Sequence, residues 1–88
     1  MSRYFLHLRY ADQSVVEDPE GLDLPSLQAA EEEALHGIRD LVAADIRGGH
    51  EVTLNAIVIA DNQGRHLATV PVRAALRKSL LQLLHESS

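Results

Sequence analysis

The stretch from Ser26 to the Gly48–Gly49 pair constrains this chain more than any other, because it reads as an amphipathic helix with both a start and a stop. At 100° per residue, Leu27, Ala30, Ala34, Ile38, Leu41 and Val42 fall on one apolar stripe, with Leu35 and Ile46 on its shoulder. Ser26 stands where a hydroxyl can accept from a free amide of the first turn. Glu31, Glu32 and Glu33 lie toward the end where the helix dipole favours acid. Glycine closes a helix because it takes the left-handed conformation without a Cβ penalty. The pattern therefore predicts a helix from about Leu27 to Arg47. Burying Leu27, Leu35, Ile38, Leu41 and Val42 is worth roughly 7–15 kcal/mol before entropy is subtracted, more than any cap or propensity, so the stripe must dock on a sheet. Gly37, at the edge of the stripe, costs about 1 kcal/mol against alanine and implies close approach of another backbone.

The sheet is written in period two. In "RYFLHLRY", Tyr4, Leu6, Leu8 and Tyr10 share one face while Arg3, Phe5, His7 and Arg9 share the other. "ADQS" is a turn and "VVED" a short returning strand; in "DPEGLDLP", Pro19, Gly21 and Pro25 are expected to stop any regular element. "VTLNAIVIA" and "HLATVPV" are two further strands joined by "DNQG", where Asp61 bonds forward to backbone amides and Gly64 supplies positive φ. Pro71 removes a ladder donor, which suits an edge or a strand end. A second helix runs from Val72 to His85, with Val72, Leu76, Leu80, Leu83 and Leu84 as its stripe and Leu81 pointing away. The order is β-β-α-β-β-α: one small α+β domain over residues 1–88, a mainly antiparallel sheet packed on one long helix, plus a C-terminal helix.

The opening "RYFLHLRY", the later "DPEGLDLP", the "AAEEEAL" helix start and "VIADNQGRHLATVPV" together resemble a family of short bacterial proteins of unknown function. Its members commonly begin M-x-R-Y-F-F-H and are frequent in rhizobia and related alphaproteobacteria. Arg3, Tyr4, Phe5 and His7 occupy the opening pattern, with Leu6 in place of a second Phe; Asp61, Gly64 and Arg65 match the hairpin. The resemblance covers roughly the first 75 residues and implies a fold and a bacterial origin, but transfers no catalytic residue. More loosely, the hairpin, acidic loop and long helix are similar to the N-terminal module of HicB-type antitoxins; here the glycine precedes the Leu-Pro, and that module's cysteine is missing.

Composition narrows the function classes. Without cysteine there is no disulfide, thiolate metal site or thiol nucleophile, and a reducing cytoplasm is the expected compartment. No stretch approaches the roughly 20 apolar residues of a membrane span. A net charge of −5 argues against general nucleic-acid binding, although "VRAALRKSLL" is locally basic and makes Arg73, Arg77 and Lys78 weak candidates for such contact.

His7 is the sharpest site candidate, since a strand histidine beside Phe5 can be held in one tautomer; the plainer reading puts both on an interface face of the sheet. Glu32, His36 and Asp40 share one helical face at metal-ligand spacing, but opposite the apolar stripe, where ion pairing with Arg39 nearby is the better reading. Asp45 points toward the stripe, so it either reaches the rim or, the favoured reading, pairs with a basic group such as Arg3, Arg9 or a residue of the last helix. No metal, cofactor or catalytic set is expected. What the residues do attest is excess apolar surface: either the last helix covers the second sheet face or a partner chain does. The expectation is a small cytosolic interaction or regulatory module, homodimeric with isologous geometry through Phe5, His7, Leu80, Leu81 and Leu84, and open to a further protein partner. An antitoxin-like or nucleic-acid-associated regulator is the alternative, and a small enzyme using His7 the third.

Overall fold

A computed structural model describes residues 1–86 of the chain. Its elements are β1 (Ser2–Tyr10), β2 (Val15–Val16), β3 (Leu22–Leu24), α1 (Leu27–Arg47), β4 (Leu54–Ala60), β5 (His66–Pro71) and α2 (Val72–Glu86). Every strand pairing is antiparallel, in the order β2-β1-β4-β5, with β3 also on β1. The α+β class and the placement of the long helix stand as the residue pattern implies.

One strand was not expected. "DPEGLDLP" is irregular only as far as Gly21, after which Leu22–Leu24 pair with Tyr4 through Ser2. Nine-residue β1 offers more edge than two-residue β2 can satisfy, and unpaired backbone groups demand partners. Gly21, at φ +73°, turns the chain so that a second short strand takes the remainder. The prolines bracket this strand rather than prevent it.

Helix α1 is capped at both ends as its sequence specifies. Ser26 accepts a hydrogen bond from the Ala29 amide at 3.1 Å. At the other end Gly49 sits at φ +71°, its amide donates to Ile46 O and the His50 amide donates to Asp45 O, the paired bonds of a Schellman close. The buried stripe is Ala30, Ala34, Ile38 and Val42, against Ile57 and Ile59 of β4 and Val70 of β5. Leu41 and Ile46 do not join it and stay 38% and 66% exposed. The helix is roughly 31 Å long and β4 only about 23 Å, so α1 overhangs the layer beneath it.

Helix α2 lies beside α1, not across the sheet. Val72 and Ala75 enter the same core as α1, and Lys78 Nζ bonds Glu32 on α1 at 3.1 Å. Both helices therefore cover the Tyr4–Leu6–Leu8 face, and the face carrying Phe5, His7 and Val58 is left without a covering layer. No helix among the described residues is long and apolar enough to cross a membrane.

Gly37 does not mark a close backbone approach. A Cβ built there meets only the Ile57 side chain, at 3.6 Å, an ordinary contact. Gly37→Ala should therefore stabilise the protein by about 0.5–1 kcal/mol through helix propensity, whereas Ile59→Ala, at a fully buried position, should cost roughly 2–5 kcal/mol. Thermal or urea unfolding of the two variants beside the parent checks both signs.

Candidate functional site

The bare sheet face forms a trough because its residues differ in size by strand. Central β4 contributes the small floor, Val58 and Ala60. Register places Phe5 and His7 of β1 against Ala60 and Val58 on one side; His66 and Thr69 of β5 face the same two residues from the other. Glu17 and Asp18 close one rim and Asp61 the other, giving an open groove of about 540 Å³.

Asp18 makes the rim possible. Between its pairings with β2 and β3, β1 has an unpaired edge, and the Asp18 carboxylate stands in for a neighbouring strand there. One oxygen accepts from the Leu6 amide at 3.3 Å; the other accepts from the Glu20 and Gly21 amides at 3.2 and 3.1 Å, folding the loop around the side chain. Burial alone would raise the Asp18 pKa. The donated bonds from Gly21, Leu6 and Glu20 outweigh that and hold it below the ordinary value of 3.8. Gly21 cannot be replaced cheaply: a Cβ there would lie 2.9 Å from Arg3 Cγ and from Phe5 Cε2, on a backbone at positive φ.

His7 is fixed by the same loop. Its Nδ1 accepts from the Asp18 amide at 3.0 Å, so the neutral ring carries its proton on Nε2, and its plane lies within 18° of the Phe5 ring at 6.4 Å. Toward the groove the neutral imidazole is a donor, with no lone pair to act as a base. On β5, His66 Nε2 is engaged with Thr69 Oγ1 at 2.8 Å. On the hairpin, Asp61 accepts from the Gln63 and Arg65 amides and from Arg65 Nε, all at 2.9 Å; the Arg65 amide bond is the first cause of a lowered Asp61 pKa. Arg3 grips the other end of the loop, donating through Nε and Nη2 to Asp23 at 3.1 and 3.0 Å and through Nη1 to the Glu20 carbonyl at 2.6 Å.

The motifs noticed in the sequence thus converge. "RYFLHLRY" and "DPEGLDLP" are two sides of one contact, Arg3 with Asp23 and His7 with Asp18, and the hairpin motif closes the opposite rim. The model of a family described as a domain of unknown function (DUF6894) matches residues 3–73. The chain belongs to that family. No curated protein and no solved structure gives a significant match. The DUF6894 match takes in β1 from Arg3 onward, the other four strands, α1 and the first two residues of α2; the leucines of α2 lie beyond it.

The remaining candidates separate. Phe5 and His7 lie in the groove, whereas Leu80, Leu81 and Leu84 are exposed on α2. Arg73 and Arg77 border a shallow depression beside Leu81, while Lys78 is held by Glu32, which dilutes the basic cluster. Glu32, His36 and Asp40 do share an exposed face of α1, but Glu32 pairs with Lys78 and not with Arg39; among the described residues no three metal-ligating side chains form a cluster. Asp45 makes no ion pair among the described residues: Arg3 is committed to Asp23, and Arg9 Nε is buried without a hydrogen-bond partner. Sequence reasoning passed over Asp18, the residue that organises the rim. Its signal was present as an Asp three residues before a Gly, the spacing of a side-chain-capped turn.

Asp18→Ala removes the acceptor for three amides and should destabilise the DUF6894 fold by about 1–3 kcal/mol near neutral pH. Because the folded-state pKa is lowered, the stabilisation by ionised Asp18 is complete above its ordinary value of 3.8 and fades as pH falls through the folded value. Denaturant melts of parent and variant should therefore converge in acid. A gap that persists there would contradict the role given to the carboxylate. Gly21→Ala should be destabilising at every pH, by more than about 1 kcal/mol, since its cause is steric.

Proposed function

We propose that this DUF6894 chain is a non-enzymatic interaction module of the cytosol that works as a homodimer. One observation carries the reading: Leu76, Leu80, Leu81, Leu83 and Leu84 of α2 are 47%, 57%, 54%, 60% and 59% exposed. The stripe of Leu76, Leu80, Leu83 and Leu84 does not face the core, because α2 meets the body through Ala75 and Lys78 instead. Half-burying five leucines on each of two copies is worth roughly 8–15 kcal/mol. Association costs about 4–15 kcal/mol, a range that the burial of the stripe is large enough to offset.

Two features support the non-enzymatic part. His7 presents a proton and no base to the groove, and His66 is engaged with Thr69. The lack of cysteine fits a reducing compartment. Sedimentation velocity across the micromolar range should show a concentration-dependent dimer, and Leu80→Glu with Leu84→Glu should leave a monomer of unchanged circular dichroism. A parent chain that stays monomeric at the highest concentration would overturn the proposal.

A further inference from the structure

Resting on that self-association, we infer that the leucine stripe of α2 seats in the bare sheet trough of the second copy, with the reciprocal contact made by the partner. The fold leaves exposed the leucine face of α2 and, on the other face of the sheet, an open groove in which Phe5, Val58 and Ala60 lie among polar groups. β1, β4 and β5 set the width of the trough; neighbouring strands lie about 4.8 Å apart, so its walls stand roughly 10 Å apart, close to the diameter of one helix. Its floor is small because β4 carries Val58 and Ala60 there, while Phe5 and His7 rise on one side and His66 and Thr69 on the other. The segment from Leu76 to Leu84 is about 13 Å long and fits within the roughly 23 Å of β4. Every residue from 80 to 85 of α2 is exposed, so this half of the helix projects where another layer can meet it.

Charge selects this arrangement over helix against helix. With Arg73, Arg77, Lys78 and Glu86, α2 has a formal charge of +2 in a chain of net −5, leaving −7 on the rest. Arg73 and Arg77 flank the leucines and make no ion pair among the described residues. The trough is rimmed by Glu17 and Asp18 on one side and on the other by Asp61, which is paired with Arg65. Pairing two α2 helices would bring like charge together and leave both sheet faces bare; seating α2 in the trough joins basic helix to acidic rim and covers both surfaces. The DUF6894 body then supplies the receptor, and the helix beyond residue 73 supplies the ligand.

The chain has no cysteine, so an introduced thiol is the only one. Val58→Cys and Leu80→Cys are made separately, checked by circular dichroism and sedimentation, mixed in equal amounts and oxidised; Thr69→Cys with Leu84→Cys serves as a second pair, and as a replacement should Val58→Cys fail to fold. The expected result is a dominant mixed disulfide dimer in one or both pairs, abolished by dilution below the dimer range, together with a several-fold weaker dimer for Glu17→Lys. A dimer linked only Leu80→Cys to Leu80→Cys, or dimers linked in neither pair, would overturn the trough contact while leaving self-association intact. A monomer in sedimentation would remove both.

Discussion

The structure depends on one asymmetry: a five-stranded sheet takes both of its helices on the same face. That is possible because the residues at the helix contacts are small. Ala30 and Ala34 of α1 and Ala75 of α2 are fully buried, so two helices fit side by side over strands no longer than nine residues. Larger side chains at these positions would push one helix off the layer. The consequence is a molecule finished on one side and open on the other, with the open side shaped by Val58 and Ala60 into a trough.

The loop that walls this trough is held chiefly by side chains bonding to backbone. Asp18 satisfies amides on β1 and within its own turn, Arg3 grips the loop carbonyl and Asp23, and His7 receives the Asp18 amide. Each residue does for the edge of β1 what a longer neighbouring strand would have done. The rim is consequently tied to the ionisation of one partly exposed carboxylate, and the two sequence stretches that meet here, Arg3–Tyr10 and Asp18–Pro25, converge for a structural reason.

How much of this was legible depended on whether the controlling contact is local. The limits of α1 follow from Ser26 and Gly49 because a cap is decided within one turn of chain. The hairpin at Asp61 and Gly64 was legible for the same reason. Strand β3 was hidden because its pairing with β1 spans some twenty residues, and prolines around it signal a break to any local reading. Helix α2 was legible as a helix but not in its orientation: periodicity locates the leucine stripe, while the core selected Ala75 and the Lys78–Glu32 pair as the inward side. For the candidate site, Phe5 and His7 could be placed on a common face from alternation alone, but the acidic rim required Asp18 to be seen bonding across eleven or twelve residues.

Neither margin of the sheet invites another strand. One is divided between segments of two and three residues with a side-chain-bonded loop between them, and the outermost strand on the other side, β5, ends on Pro71. Lateral growth by backbone pairing, the route toward fibrils, is thereby discouraged at both borders. A chain with edges so interrupted can leave a greasy helix in water with less danger of growth strand by strand.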